Sequence, residues 1–327
     1  MKTIFFVVSA LVLFVMTACK DPSDGTGSGT GTLPEAPFVE GGVSFILSPD
    51  KRTVTVKVKI AVGNVTVEGC EETTLTSDTE AELHAQGTRI TLKGDITELK
   101  CDNNQLISLN VWGLTALKSL ECFNNRLTAL NVQGLPALQV LECRNNELTS
   151  LNLRGMTALQ GLRCGGNKLT ALNVRDLRAL QTLRCYDNRL TSLDVHGLRA
   201  LKELECNDNL LSELNAQACT ALEKLHCRKN QLTDLNVQGC TALRGLDCLS
   251  NKLDAQAFTK LFGDLPARTG YAYCYLYTDE KGVSEGNCKD FTSASAPVEL
   301  KRAFEKVKNE KKWTMYKIRA DKIMVEI

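Results

Sequence analysis

Apolar residues recur along the middle of this chain with a period of 21 residues. In one unit, apolar side chains stand at positions 117, 120, 122, 127, 130, 132 and 135. Leu120 and Cys122 flank the polar Glu121, which indicates a short strand with one buried face. Because a unit of this length cannot bury its apolar side alone, neighbouring units must stack and share one continuous core.

Two residue types mark the same place in every unit. The recurring cysteines are Cys101, Cys122, Cys143, Cys164, Cys185, Cys206, Cys227 and Cys248, and each is followed three residues later by Asn104, Asn125, Asn146, Asn167, Asn188, Asn209, Asn230 or Asn251. An inward asparagine amide can supply donors and an acceptor to backbone groups that leave the strand ladder. We therefore predict a structural role for this column, and an exposed, tolerant position at its neighbour Asp187.

The unit Leu117-x-x-Leu120-x-Cys122-x-x-Asn125-x-Leu127 matches the leucine-rich-repeat pattern, with Cys replacing one Leu. Over roughly residues 85 to 265 the chain resembles internalin J-type leucine-rich-repeat proteins, whose 21-residue units carry a cysteine ladder, and similar repeat lipoproteins of Gram-negative anaerobes. The resemblance implies an α/β solenoid, a right-handed superhelix with a parallel concave sheet, used in adhesion or recognition at a bacterial surface. Internalins usually begin with a helical cap and are fixed to a Gram-positive wall, so the resemblance extends to the fold and not to the partner.

The first 18 residues predict a secretory signal peptide. An apolar run from Thr3 to Met16 follows Lys2 and is too short to cross a bilayer. Met16-Thr17-Ala18-Cys19 resembles the bacterial lipobox, which implies cleavage after residue 18 and a lipid on Cys19; the alternative is ordinary cleavage that leaves an incidental thiol. Residues 19–36 are then a flexible Gly- and Ser-rich tether. We expect an exported protein, anchored by this lipid at the outer membrane or cell surface.

Both ends of the solenoid require caps, because the last repeats would otherwise expose the core. Residues 37–95 predict a β-rich N-terminal cap, with a separate binding domain as the alternative. Apolar positions alternate from Val54 to Val62, Gly63-Asn64 leads into a second strand, and residues 89–96 resemble an incomplete first repeat.

The repeats proper are assigned to residues 96–253 and a mixed α+β C-terminal cap to residues 254–327. Apolar spacing predicts a helix at 254–265 and another at 297–312. Between them, alternation from Tyr271 to Tyr277 predicts a strand with its tyrosines facing outward.

The chain has 14 cysteines, which in an exported protein usually indicates disulfides. In-register parallel strands lie about 4.8 Å apart with parallel Cβ bonds, whereas a disulfide requires Cβ atoms about 3.8 Å apart that face each other. The repeat cysteines are therefore predicted to be buried thiols. Cys274 and Cys288 are the candidate disulfide pair.

Charge and motif content argue against several classes of function. With 39 Lys and Arg against 38 Asp and Glu, the chain has no overall field that would attract nucleic acid. No Cys-x-x-Cys or His-x-x-x-His spacing indicates a metal, and three scattered histidines offer no nucleophile, base and orienting group. We expect no cofactor, no metal and no enzymatic activity.

Two columns beside the cysteine ladder are predicted to face the concave surface. They contain the candidate partner-binding residues Phe123, Arg144, Arg163, Arg184, Tyr186 and Arg228, to which the strand at 271–277 adds Tyr273 and Tyr275. Arg163 is expected beside Arg184, and Glu121 beside Glu142, although like charges on neighbouring strands are unfavourable. Either the sequence has drifted on a solvated surface, or these residues belong to a ligand site. Exposed Arg and Tyr are typical of interface hot spots, so a protein partner is predicted. A glycan-binding or envelope-assembly lipoprotein is the alternative, with the tyrosine strand as its sugar-binding feature.

Overall fold

The computed structural model describes residues 34–327. The predicted signal peptide, the lipidated Cys19 and all of the tether before residue 34 lie outside the described residues. The N-terminal part contains eight strands, β1 (Gly42–Leu47), β2 (Thr53–Ile60), β3 (Val65–Glu68), β4 (Thr74–Leu75), β5 (Glu80–His84), β6 (Arg89–Lys93), β7 (Ile96–Lys100) and β8 (Leu106–Asn110).

The central part is a run of short strands with little helix. In chain order these are β9 (Ser119–Glu121), β10 (Val140–Glu142), β11 (Gly161–Arg163), β12 (Thr182–Arg184), β13 (Ser192–Asp194), β14 (Glu203–Glu205), β15 (Glu213–Asn215), β16 (Lys224–His226), β17 (Asp234–Asn236) and β18 (Gly245–Asp247). Strands β7, β9–β12, β14, β16 and β18 pair in parallel, leucine against leucine, at intervals of one repeat. The parallel-strand solenoid with 21-residue turns is thereby confirmed.

The opposite side of the solenoid carries little regular structure. Among the repeats, β13, β15 and β17 pair there as a three-stranded parallel sheet. The remaining convex turns are held by the leucine column and by short turns, such as the Leu138 N–H donating to the Leu135 carbonyl at 3.1 Å. The solenoid is therefore more regular on the concave side, where strands align over the whole length.

The asparagine column binds backbone groups as predicted. Asn125 Nδ2 donates to the carbonyls of Cys101 and Cys122, both at 3.0 Å. Its Oδ1 accepts from the N–H groups of Asn104 and Leu106 at 3.1 and 2.9 Å. Asn188 repeats this pattern, so each amide joins two successive turns. Because these backbone groups are buried, the asparagine amides make the hydrogen bonds that water would make at the exposed end of a strand ladder.

The backbone at the position before each column asparagine is left-handed, which the sequence-based expectation did not include, although Lys229 and Ser250 also adopt it, with φ of 51° and 53°. Asp187 has a φ of 50°, and Asn124, Asn145 and Gly166 at the equivalent positions have φ of 53°, 53° and 65°. This is the left-handed region, in which Gly, Asn and Asp are favoured. Exposure alone suggested tolerance, but the backbone conformation restricts the choice.

The N-terminal cap continues both faces of the solenoid. Strand β2 pairs antiparallel with β7 at the end of the concave sheet, and β1 pairs antiparallel with β8 on the other face. The predicted strands at 54–60 and from Val65 onward are present, although Val62 lies beyond β2 and is exposed. The predicted repeat at 89–96 is wrong: β6 pairs antiparallel with β1 and β3 in the cap. Cap and repeats share one hydrophobic core.

The C-terminal cap consists of α1 (Ala255–Asp264), β19 (Tyr273–Thr278), α2 (Val298–Asn309), β20 (Thr314–Ile318) and β21 (Met324–Glu326). Asp254 caps α1 by accepting from the Ala257 N–H at 2.8 Å. Strands β19 and β20 extend the concave sheet in parallel. Tyr271 faces outward as predicted, but Tyr277 is buried, because the register between β19 and β20 shifts after Tyr275.

The predicted disulfide between Cys274 and Cys288 is wrong, since both are free thiols. Cys274 is fully buried in register with Leu246, in the leucine column. Cys288 lies in a different environment, where its thiol donates to the Asp290 carbonyl at 3.6 Å. The sequence separation is suitable for a disulfide loop, but the Cys274 side chain packs inside the hydrophobic core and does not face Cys288. Between residues 34 and 327, no helix is both long and apolar enough to cross a membrane.

Candidate functional site on the concave surface

The concave sheet presents parallel columns of outward-facing side chains. The column at the strand ends contains Lys100, Glu121, Glu142, Arg163, Arg184, Glu205, His226 and Asp247, and continues through Tyr275 to Tyr316. A second column, two residues later, contains Phe123, Arg144, Gly165, Tyr186 and Arg228. A third, two residues earlier, was overlooked in the sequence and includes Glu203, Gly245 and Tyr273; the period-2 rule that gave the other columns would have identified it.

Glu142 organises the centre of this surface. It is 7% exposed and pairs through one carboxylate oxygen with Arg144 and through the other with Arg163, whose Nη1 lies 3.1 Å away. The Arg144 guanidinium carbon lies 4.1 Å from the centroid of the Phe123 ring. A cation over an aromatic face gains about 0.5–2 kcal/mol, depending on its exposure. Arg144 is thus fixed from two sides.

Arg184 is held by a second acidic pair. Its Nη2 lies 3.1 Å from Glu203 Oε2, and its buried Nε lies 3.5 Å from Glu205 Oε1 without a hydrogen bond. The predicted adjacency of Arg163 and Arg184 is confirmed by their register. Each arginine has its own carboxylate partner, so the like charges are compensated within the surface. The basic groups are partly exposed but not free.

Tyr186 lies against the neighbouring strand where that strand has a glycine. A Cβ built on Gly165 would lie 2.8 Å from the Tyr186 ring. The ring therefore occupies space that any larger residue at position 165 would need. Beyond it lies a shallow cavity of about 440 Å³, lined in part by Tyr186, Glu205 and His226.

A tyrosine cluster forms the C-terminal end of the same surface. Ring centroids are 5.8 Å apart between Tyr271 and Tyr273, 5.2 Å between Tyr273 and Tyr275, and 5.6 Å between Tyr275 and Tyr316. Tyr273 lies over Gly245, where a Cβ would be 2.8 Å from the phenol. Tyr316 was missed because it follows α2 and belongs to no repeat. The predicted binding residues therefore fall into a central group and a C-terminal group, the latter with Arg228.

The three histidines lie in three different parts of the fold. His84 lies in the cap, where its Nδ1 is 2.6 Å from Glu72 Oε1 and this hydrogen bond raises the pKa of His84. His196 lies after the convex strand β13, and His226 lies in the concave column at the strand ends. Within residues 34–327, no cluster of three or more His, Cys, Asp or Glu side chains is placed to hold a metal ion.

The stacked 21-residue turns, the parallel concave sheet and the buried cysteine column define the architecture. It is a leucine-rich-repeat solenoid with a cysteine ladder. Structural neighbours include the functional domain of InlJ from Listeria monocytogenes, described as including a cysteine ladder, which is 32% identical, covers 48% of this chain and 40% of its own, and has a TM-score of 0.42. The leucine-rich-repeat protein LIC12759 from Leptospira interrogans is 22% identical, with coverage of 66% and 59% and a TM-score of 0.47.

The internalin InlF from Listeria monocytogenes is 20% identical, with coverage of 54% of this leucine-rich-repeat chain and 51% of its own and a TM-score of 0.45. The chain thus spans between 40% and 59% of these three proteins. No protein-family profile matches the sequence. No curated protein matches it either.

Proposed function

We propose that this chain is an exported, lipid-anchored surface protein that binds another protein through the centre of its concave face. The observation that carries the proposal is the fixed arrangement of Arg144, held between the ring of Phe123 and the buried carboxylate of Glu142. A surface that only needs to be soluble gains little from such an arrangement. A surface that binds gains from it, because side chains that are already ordered lose less entropy on association.

The dimensions of the central group fit a protein partner. Phe123, Arg144, Arg163 and Tyr186 lie on or directly after the four adjacent strands β9–β12, which span about 15 Å at ordinary strand spacing. This matches the centre of an interface of ordinary size. Arg and Tyr are also the residues that most often dominate binding energy at such centres.

The charge balance of the central group favours a protein over a polyanion. Four basic side chains, Lys100, Arg144, Arg163 and Arg184, pair with four acidic ones, Glu121, Glu142, Glu203 and Glu205. A nucleic acid or an anionic membrane would require an excess of positive charge. A mixed surface instead suits a partner with its own alternating charges, which gives specificity through register.

The test of the site uses neutral substitutions, since reversing Arg163 and Arg184 would place new carboxylates beside the buried Glu142 and the pair at 203 and 205. Biotin-labelled surface proteins from neighbouring bacteria and from epithelial cells are passed over the immobilised chain, and the captured partner is titrated. Arg163→Gln with Arg184→Gln should weaken binding at least tenfold, about 1.4 kcal/mol. The matched control is Arg154→Gln with Arg175→Gln on the convex side, which should bind like the native chain. Equal affinities of the two folded double variants would place the partner elsewhere.

The lipid anchor is tested separately at Cys19. Growth with an alkyne-tagged fatty acid should label the native chain, and Cys19→Ala should abolish the label and release the protein from the membrane fraction. Multiple acyl chains are needed for stable anchoring, so loss of the cysteine removes the whole anchor. An unlabelled native chain would show ordinary signal cleavage instead.

A further inference from the structure

Asp247 is a nearly buried carboxylate that lacks the cation partners of Glu142, the other buried acid of the described residues. It is 9% exposed, and its only hydrogen bond among the described residues is a long one of 3.3 Å from the Leu249 N–H to Oδ1. Oδ2 accepts none from residues 34–327, and no cation of that part lies within ion-pair distance of Asp247. Glu142, which is buried to the same degree in the same column, pairs with two arginines. Burial of most of this uncompensated charge is costly, and the unpaired Oδ2 is not fully enclosed, so a ligand can reach it.

The carboxylate lies where two cavities meet. One, of about 440 Å³, is lined by Tyr186, His226, Arg228 and Asp247; the other, of about 360 Å³, is lined by Arg228, Asp247, Leu249 and Tyr275. Arg228 and Asp247 thus form a wall common to both. Each cavity reaches the volume of ordinary small-ligand sites. Together they form a groove along the concave surface that leads into the C-terminal cap.

Tyr275 lines this groove, and the rest of the tyrosine cluster packs around it. Tyr275 is in register with Asp247 on the next strand, and its ring is 5.2 Å from that of Tyr273 and 5.6 Å from that of Tyr316. Tyr273 and Tyr275 are partly buried, so their rings are held by neighbours. Phenol rings combine an apolar face with a hydroxyl that can bind water or ligand.

We propose that this groove is a second binding site, and that it holds a neutral pyranose unit of a glycan, with Tyr275 stacking on the sugar ring and Asp247 accepting from its hydroxyls. The two sugar contacts lie toward the C-terminal end of the concave sheet, although the first cavity also reaches Arg184 and Tyr186 of the central group. Adjacent sugar hydroxyls both donate and accept. One hydroxyl can donate to the unpaired Asp247 oxygen while a neighbouring one accepts from Arg228.

The charges around the groove are mixed and favour a neutral ligand. Lys322 and Lys229 are already paired with Glu280 and Asp208 at 3.2 and 3.1 Å, so an ammonium ligand would meet Asp247 with Arg228 beside it. A carboxylate or sulfate would suit those bases but would meet the buried Asp247 at close range. A neutral polyol satisfies both signs without adding charge, because each hydroxyl can be donor or acceptor.

The state of Asp247 in the free protein agrees with a site kept for a ligand. Burial raises the pKa of its carboxyl, and the Leu249 N–H and Arg228 only partly offset this effect. The charged form therefore destabilises the folded chain at neutral pH. Asp247→Asn keeps the shape, removes the charge and should melt at the same or a higher temperature than the native protein. A residue that costs stability and makes a single long hydrogen bond within the described chain fits a binding role.

The experiment applies the whole chain to an array of neutral oligosaccharides built from hexose and N-acetylhexosamine units, with sialylated and choline-bearing probes on the same array, followed by titration calorimetry. The native chain should bind at least one neutral oligosaccharide. Asp247→Asn and Tyr275→Ala should each weaken that binding at least tenfold. The matched control is Asp194→Asn, a partly exposed carboxylate on the convex side that lines neither cavity, and it should keep native affinity.

Several outcomes would overturn the proposal. These are no binding of the native chain to any neutral oligosaccharide at millimolar concentration, a preference for the sialylated or choline probes, or native affinity in both Asp247→Asn and Tyr275→Ala. A lower melting temperature of Asp247→Asn would also overturn it, because the carboxylate would then be structural. None of these results alters the central arginine test, so the two sites are judged independently.

Discussion

Asn104 clamps the N-terminal cap to the first turn through the backbone of Thr55. Its Oδ1 accepts from the Thr55 N–H at 2.9 Å, and its Nδ2 donates to the Thr55 carbonyl at 2.6 Å. Other column members bind the turn that precedes them, but Asn104 has no earlier repeat and binds β2 instead. A buried polar group left unpaired costs about 1–3 kcal/mol, and Asn104→Ala leaves two. In Asn104→Ala we expect amide hydrogen exchange in β2 and β5 to become faster than in the native chain, and exchange in the central strands to change less.

The control for this prediction is Thr55→Val. It keeps both backbone groups and changes only an exposed side chain, so exchange in β2 should remain native. Asn188→Ala is the second comparison, because it should loosen central turns and leave the cap protected. If Asn104→Ala and Asn188→Ala changed exchange in the same strands, the clamp would not be specific to the cap.

The left-handed turn after each concave strand makes a prediction at Asp187. Ala is disfavoured at its φ of 50°, whereas Gly adopts this conformation without steric cost. Asp187→Ala should lower stability by about 1 kcal/mol, and Asp187→Gly should be close to native. Urea unfolding of both variants, read by circular dichroism, measures the difference. Equal midpoints would mean that the turn relaxes to an ordinary φ.

The cysteine ladder should make the fold sensitive to alkali. Burial raises the pKa of the Cys206 thiol from 9.0 to about 12. Below pH 9 both folded and unfolded chains keep this proton, so its contribution to stability is intact. As pH rises from 9 toward 12, only the unfolded chain loses the proton, and stability falls by about 1.4 kcal/mol per pH unit for each such thiol.

The slope of stability against pH isolates one thiol. In Cys206→Ala the free energy of unfolding should fall less steeply between pH 9 and 11, by the contribution of one proton, whatever the effect of the substitution on stability at neutral pH. Leu204→Ala, from the adjoining strand β14, removes a core side chain without a titrating group and should keep the native slope. An unchanged slope in Cys206→Ala would show that this thiol ionises in the folded chain.

The repeats could be predicted from sequence because one local pattern occurs eight times. Leu120, Cys122 and Asn125 each face a neighbour of the same type in the next turn, so burial of one fixes the register of all. The caps lack this redundancy. β6 carries an alternation that fits either a repeat strand or a cap strand, and only its pairing with β1 decides between them.

Single residues outside the period were also beyond sequence reasoning. Asn287 continues the asparagine column in the C-terminal cap, where its Nδ2 donates to the carbonyls of Cys248 and Leu276 at 2.8 and 2.7 Å. It lies 36 residues after Asn251 and not 21, so spacing gives no signal for it. Tyr316 reaches the concave surface in the same way, through the pairing of β20 with β19, which the local pattern does not encode.

The last prediction uses glycines as spacers for the two aromatic groups. Gly165 and Gly245 lie beneath Tyr186 and Tyr273, and a Cβ at either would lie 2.8 Å from the ring above it. Neither glycine has a left-handed φ, so alanine is compatible with the backbone and reduces the entropy of the unfolded chain. Gly165→Ala should therefore displace the Tyr186 ring and weaken protein binding at least threefold without loss of stability. Gly245→Ala should instead weaken binding of the neutral oligosaccharide.

The matched control is Gly161→Ala on the same strand as Arg163. A Cβ there would meet only the Val140 side chain at 4.0 Å, an ordinary contact, so both ligands should bind as to the native chain. Because the two effects are expected at opposite ends of one sheet, each variant also serves as the control for the other. Titration of both ligands against all three variants gives the comparison. If Gly165→Ala reduced saccharide binding as strongly as protein binding, the concave face would be one continuous site and the division into two groups would be wrong.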